Sequence, residues 1–363
     1  MKTPVNPSGN IEGIQVLRAI AALMVVMHHA RLSVPHSEAW PGFGDTGVDI
    51  FFVISGFVMS YTTALAPSGQ PMRERLAAIG TFVRKRAIRI VPLYWIALLW
   101  TARRELAHGQ VGMDLAKDFF FIPHPNAVYH GWLAPTLQQG WTLNYEVFFY
   151  VLFACAMLCA AARTRVLLAA LATLVVGGFV ASRLGWPADP DSALGIARRF
   201  YGENIILEFG YGVILERLIR RAGTLPASRG AAWLVGAFAF ACLAWFHNIW
   251  PRGVVEGLPA AVVVWMGIRA CVGLRSKVLE LLGAASYSIY LFHWASFGAV
   301  KPLAAALAST PDGPGKVALL IAAHFAVALT AGIAIHLLVE KPLLRFATRR
   351  FDGARKLPAA ASA

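Results

Sequence analysis

Arg18 and His29 lie in one apolar run, Val16-Leu-Arg-Ala-Ile-Ala-Ala-Leu-Met-Val-Val-Met-His-His-Ala30, of the kind that crosses a bilayer. Ionisable groups in such a run normally face a bundle interior, a partner or water. The two are eleven residues apart, about three helical turns plus roughly 20° with a rise of about 16 Å, so they share one face at different depths. His28 is turned about 80° from that face, which makes His29 the better candidate. Imidazole can act as general base or as nucleophile near neutral pH. The structural alternative has Arg18 reaching for one interface while the histidines mark the other.

A carboxylate joins them in the stretch Gln138-Gln-Gly-Trp-Thr-Leu-Asn-Tyr-Glu-Val-Phe-Phe-Tyr150. Glu146 falls about two turns from one helix end, at a depth similar to that of His29, and is expected to orient or charge that imidazole. Pairing with an arginine, or capping a neighbouring helix, is the competing reading. Arg86 and Arg89, three apart just before Pro92, share a helical face, and paired guanidiniums suit phosphate. Topological anchoring by positive charge explains them as well. Pro92 is expected to start the next span.

Two further segments hold candidate site-lining residues. In Gly44-Asp-Thr-Gly-Val-Asp-Ile-Phe-Phe-Val-Ile-Ser-Gly-Phe57, Asp49 lies near a surface where it could cap the span, and Ser55 with Gly56 permits close helix approach. Ile-Ser-Gly lacks the Gly-x-Ser-x-Gly elbow, so packing is the better reading of Ser55. Ser286, Tyr290 and His293 come close to one face by the i, i+4, i+7 rule, as substrate contacts or as a structural hydrogen-bonded cluster. Adjacent His28 and His29 do not form the i, i+4 pair of a helical metal site, and no metal site is expected.

The elements that position these groups are membrane helices. The chain is 58% hydrophobic and 14% charged with mean hydropathy +0.59, which excludes an ordinary soluble domain. A net charge of +14 would suit a nucleic-acid binder, but the basic residues sit in short connections between apolar runs, so no nucleic-acid partner is expected. Scanning for spans gives an all-α polytopic protein with about ten helices, near 13-33, 46-65, 90-107, 139-161, 165-184, 202-220, 230-248, 254-273, 281-306 and 316-339. The excess of Lys and Arg in even-numbered connections and in the tail puts both termini in the cytoplasm. The first run lacks a cleavage site and reads as a retained span. Residues 1-345 form one membrane domain and 346-363 a short basic cytoplasmic tail. Cys155, Cys159, Cys242 and Cys271 lie in apolar runs as small core hydrophobes. No internal repeat is visible, which weakens a transporter reading.

Six pieces together resemble the acyltransferase-3 family of polytopic membrane acyltransferases. They are Arg18 with His29, Gly47-Val-Asp-Ile-Phe-Phe-Val-Ile-Ser-Gly-Phe57, Arg86-Ala-Ile-Arg89, Trp141-Thr-Leu-Asn-Tyr-Glu146, Ser286-Tyr-Ser-Ile-Tyr-Leu-Phe-His293 and Val339-Glu-Lys-Pro342. The Gln139–Tyr150 stretch is similar to that of bacterial exopolysaccharide acetyltransferases. The resemblance implies a multi-pass protein of the bacterial inner (plasma) membrane. It would transfer an acyl group, usually acetyl, from cytoplasmic acyl-CoA (acetyl-CoA) to a hydroxyl of an exopolysaccharide or lipid-linked saccharide. It implies no permanently bound cofactor, and membrane lipid as surroundings. Arg18, His29, Arg86, Arg89 and Glu146 are the residues carried over.

The expected mechanism places Arg86 and Arg89 on the donor phosphates and Arg18 along the pantetheine path. His29 acts as base or acyl carrier, with Glu146 as its partner. The rival is a proton-coupled transporter, since intramembrane His, Arg and Glu also serve proton relays.

Overall fold

The computed structural model describes residues 12–63, 66–67, 69–107, 112–222, 228–271, 273–274 and 276–353. It is almost wholly helical, as the apolar runs require: in lipid every backbone N–H and C=O must be satisfied within the segment. The helices are α1 (Glu12–Leu32), α2 (Gly47–Thr62), α3 (Met72–Ala107), α4 (Met113–Phe119), α5 (Trp141–Met157), α6 (Arg163–Arg183), α7 (Ala193–Tyr201), α8 (Leu207–Ala222), α9 (Arg229–Trp245), α10 (Arg252–Val255), α11 (Gly257–Ala270), α12 (Lys277–Ser296), α13 (Lys301–Ala306), α14 (Pro314–Ile335) and α15 (Lys341–Gly353). Two two-residue strands, β1 (Pro125–Asn126) and β2 (Trp132–Leu133), pair antiparallel in the connection between α4 and α5. Part of the expected tail, 354–363, lies outside the described residues.

Among the described residues five segments are long and apolar enough to cross a membrane: Glu12–Leu32, Phe43–Thr62, Ala160–Arg183, Arg252–Ala270 and Pro314–Arg350. Large apolar side chains remain exposed along the outer helices, including Val176 and Phe179 on α6 and Leu234 and Phe238 on α9. Such a surface suits lipid, where an apolar patch has no penalty to escape. Cys155 and Cys159 are exposed and only Cys271 is buried, so the expectation of core cysteines fails for the first two.

Two breaks in the expected pattern have physical causes. The basic segment before residue 90 is not a loop: α3 runs unbroken from Met72 to Ala107, with Pro92 inside it rather than at a start. Arg and Lys are good helix formers, and Phe82 and Ile90 bury one side of this stretch. The last long helix passes through a π turn at His336–Glu340 before continuing as α15. There Glu340 accepts from Ser288 Oγ at 2.6 Å and from His336 Nδ1 at 2.7 Å.

At the centre α1 packs along α12 and α2 along α8. The α2–α8 crossing is tight because Gly56 faces the backbone of Phe209 and Gly212 faces the carbonyl of Val53, each in the space a Cβ would fill. Small residues at both points let the backbones approach, as is usual between helices in lipid.

Candidate active site

Five helices carry the polar groups: α1, α2, α5 and α12 each contribute to two cavities, and α3 to the first alone. The first is a narrow slot of about 90 Å³ lined by Arg18, Ser55, Arg86, Arg89, Glu146 and Tyr150, among others. The second, about 530 Å³, is lined by His28, His29, Asp45, Trp132, Trp141 and Trp294, among others. Along α1 the slot takes Arg18 and the larger cavity His29; along α12 it takes Ser286 and the larger cavity Trp294. Along α2, with the 3-10 turn Phe43–Thr46 that precedes it, and along α5 the order is reversed, Asp45 and Trp141 against Ser55 and Glu146. The cavities are therefore stacked along an antiparallel bundle. They meet at Val48 and Tyr290, which line both.

The shared face of α1 is real, and it looks at α12. Arg18 donates from Nε and Nη2 to Ser286 Oγ at 3.2 and 2.9 Å. Three turns on, His29 Nδ1 lies 3.2 Å from His293 Nε2. His293 is fully buried, and its Nδ1 is 2.6 Å from the carbonyl of Tyr290. A carbonyl can only accept, so His293 Nδ1 carries the hydrogen and its Nε2, in the neutral ring, is an acceptor. His29 Nδ1 likewise sits 3.0 Å from the carbonyl of Val25 and must donate. One N–H is thus shared between Val25 O and His293 Nε2. No hydrogen bond among the described residues engages His29 Nε2, so its lone pair is free on a residue that lines the larger cavity. His28 lines the same cavity, with Nδ1 2.6 Å from the carbonyl of Gly42.

Glu146 is not the partner of His29. It lies in the slot, where Oε1 accepts from Ser55 Oγ at 3.2 Å and from the hydroxyl of Tyr150. Glu146 and Glu340 both lie within electrostatic reach of Arg18, with no ion pair joining either carboxylate to it among the described residues. Depth counted from a helix end near Gln139 misplaces Glu146, because α5 starts only at Trp141. A 3-10 turn at Gln138–Gly140 precedes α5, placing Trp141 and Tyr145 against the larger cavity and Glu146 below the constriction.

Arg86 and Arg89 do share a face and both line the slot. Arg86 Nη2 donates to Thr62 Oγ1 at 3.0 Å, and its guanidinium lies against the rings of Phe82 and Tyr150. Ser55 faces the slot, whereas its neighbour Gly56 makes the helix contact. The Tyr290 hydroxyl bridges Thr142 Oγ1 at 2.8 Å and the Gln139 carbonyl at 2.9 Å, tying α12 to α5 at the constriction.

Asp49 lines neither cavity and caps nothing. It is fully buried and held by Arg252, Nη2 to Oδ2 at 2.7 Å and Nε to Oδ1 at 3.0 Å. Arg252 also faces Glu256 at 3.6 Å and Asp45 at 3.9 Å, with buried Glu208 beside Asp49. This arginine was beyond sequence reasoning, since 203 residues separate it from Asp49. Trp132, placed by the β1–β2 turn, lies in a 121–132 loop whose aromatic and polar residues read equally as sugar contacts or as a structural cover; Trp294 was missed as a cavity wall.

The arrangement offers a cationic slot, a constriction and a wider aromatic cavity holding an imidazole with an open nitrogen. Comparison with known proteins agrees with acyl-transfer chemistry. The family model for the acyltransferase domain, acyltransferase-3, matches residues 11–338. The exopolysaccharide production protein ExoZ of Rhizobium meliloti (strain 1021) is 32% identical, covering 83% of this chain and 90% of its own. The putative membrane-bound transacylase BcsY of Komagataeibacter xylinus is 26% identical over 80% of this chain and 73% of its own. The putative peptidoglycan O-acetyltransferase YrhL of Bacillus subtilis (strain 168) is 26% identical over 78% of this chain and 48% of its own. No solved structure matches. With a family model spanning nearly all of its helices and relatives that include transacylases and O-acetyltransferases, the chain belongs to the acyltransferase-3 family and is an acyltransferase.

Proposed function

We propose that the protein moves an acetyl group from cytoplasmic acetyl-CoA to a hydroxyl of an exported or cell-surface carbohydrate, with His29 at the chemistry. The observation that carries this reading is the pair of stacked cavities joined at Tyr290, one lined by Arg18, Arg86 and Arg89, the other by His29. Ten spans with both termini cytoplasmic, in a bacterial inner membrane, put the slot on the donor side and the larger cavity on the outer side. Residues 1–345 are then the catalytic domain and 346–363 a basic cytoplasmic tail.

The guanidiniums of Arg86 and Arg89 hold donor phosphate, and the slot admits the thin pantetheine arm past Arg18. The rise of about 16 Å between Arg18 and His29 is the distance that arm has to cover. At the far end His29 Nε2 takes the proton of the acceptor hydroxyl as its oxygen bonds to the thioester carbonyl carbon. The C–S bond breaks, and the proton passes to the leaving thiolate, restoring neutral His29. His293 Nε2 keeps the Nδ1–H of His29 occupied throughout, so the tautomer is held. Attack by the same Nε2 on the thioester gives an acyl-histidine instead, which acid quenching and mass spectrometry would reveal. The tryptophans of the outer cavity offer flat apolar faces of the kind a pyranose ring covers. The printed names of the relatives, exopolysaccharide production and peptidoglycan O-acetylation, support a carbohydrate acceptor.

The test is transfer of labelled acetyl from acetyl-CoA to cell-envelope carbohydrate by purified protein, with His29→Ala and His28→Ala compared at matched abundance. Loss confined to His29→Ala, about 10²- to 10⁴-fold for a general base, is the expected result. Equal transfer by all three would remove His29 from the reaction. Movement of a solute with no ester formed would favour the proton-coupled transporter.

A further inference from the structure

The slot is far too narrow for a nucleotide. At about 90 Å³ it falls well below the usual 300–1,000 Å³ of a small-molecule pocket. A donor threaded through it must leave its bulky end outside, close to Arg86. A separate groove of about 520 Å³ opens there, and Arg86 lines both.

This groove lies between the start of α3, the turn after α2 and the start of α6. Its charged lining is Arg75, Lys85, Arg86 and Arg163, with no carboxylate among the described lining residues. Thr62, Thr63, Gln70 and Thr81 add polar groups to the wall. Besides Arg86, held by Thr62 Oγ1, two of the cations are anchored. Arg75 donates to the carbonyls of Gln70 at 2.9 Å and Leu158 at 2.8 Å, and Arg163, only 4% exposed, donates to the carbonyl of Thr63 at 3.0 Å. Lys85 is exposed, with an ammonium that no hydrogen bond or ion pair among the described residues engages. Arg163 has Glu216 as a counter-charge, which leaves Arg75, Lys85 and Arg86 facing one space, an unfavourable arrangement unless an anion joins them. Positive anchoring alone needs charge on this side of the membrane, not charge converging on a concavity.

We propose that this groove binds the 3′-phosphorylated nucleotide end of the acyl-CoA donor. Lys85 and Arg75 take the 3′-phosphate, and Arg86 takes the diphosphate where the pantetheine arm turns into the slot. The assignment rests on acyl-CoA being the donor, and it adds that the enzyme distinguishes coenzyme A from its 3′-dephospho form.

The experiment measures KM and kcat for acetyl-CoA and for acetyl-3′-dephospho-CoA with purified wild type, Lys85→Gln and Lys85→Arg, in phosphatidylcholine proteoliposomes with and without phosphatidylglycerol. Wild type is expected to show a KM about tenfold higher for the dephospho donor, the scale of one or two charge-assisted hydrogen bonds. Lys85→Gln raises the KM for acetyl-CoA toward that of the dephospho donor, and Lys85→Arg restores the preference. Lys85 makes no contact the fold depends on, so the loss reads binding. Turnover with equal KM for the two donors overturns the assignment. A KM for acetyl-CoA that rises with phosphatidylglycerol while the two donors remain equal identifies a lipid headgroup as the occupant instead. No turnover of acetyl-CoA by wild type overturns the donor reading, and this assignment with it.

Discussion

His293 Nε2 accepts the Nδ1–H of His29 across 3.2 Å, and the carbonyls of Tyr290 and Val25 fix the direction of that bond. The buried ring is therefore a positioning group: it holds the reactive imidazole in the tautomer whose free nitrogen faces the cavity. His293→Ala is expected to lower kcat for acetyl transfer by roughly 10- to 100-fold, below the cost of losing the base itself, with the KM for acetyl-CoA unchanged. His293→Gln, whose amide oxygen can accept from His29, recovers part of the loss. A rise in KM with kcat intact would show that His293 serves donor binding instead.

Glu146 and His29 belong to different cavities, which turns a failed pairing into a measurable statement. Glu146→Gln removes the charge beside Arg18 while keeping the side-chain shape. Its effect on kcat/KM should add to that of His293→Ala within about 0.5 kcal/mol, as for sites that share no partner. A coupling energy above about 1 kcal/mol in the double-mutant cycle would mean that the carboxylate does act on the histidine pair.

What could be read from the sequence followed helical periodicity. The shared face of Arg18 and His29, the Arg86–Arg89 pair and the Ser286–Tyr290–His293 face are relations within one helix, where the 3.6-residue turn fixes direction. The first two recur in the structure, facing α12 and the slot, while on α12 Ser286 and His293 face α1 and Tyr290 turns to Thr142 and Gln139. Relations between helices were not readable, because register depends on packing that one sequence does not encode. Glu146 was matched to His29 by depth alone, and Asp49 was read as site-lining, or else as a cap, because Arg252 comes from a distant helix. Pro92 illustrates a third limit: it reads locally as a start, yet α3 continues through it.

The α2–α8 crossing sets the position of Ser55 and thereby one wall of the slot. A methyl group on Gly212 would meet the backbone carbonyl of Val53, which cannot rotate away as a side chain can. Gly212→Ala should therefore cost about 1–3 kcal/mol of stability, the usual range for overpacking, read as a lower thermal midpoint of the purified protein in detergent. Gly230→Ala is the control, since its nearest neighbour would be a side-chain atom at 3.9 Å. Equal midpoints for the two variants would show that the crossing has room to give.

Arg252 is the counter-charge for a buried acidic cluster at the larger cavity. Asp49 and Glu256 are fully buried within its reach, and Glu208, also fully buried, sits beside Asp49. Arg252→Met leaves these carboxylates without a cation in a setting where removing one partner of a buried pair costs about 3–5 kcal/mol. The variant should yield far less folded protein by size-exclusion in detergent. Replacing both partners, Arg252→Met with Asp49→Leu, should recover part of that yield, because a well-packed apolar pair often substitutes for an ionic one. Recovery shows that the pair serves the fold, and His29-dependent transfer should return with it. Folded double variant without transfer would instead mean that Arg252, which also lines the cavity, touches the acceptor.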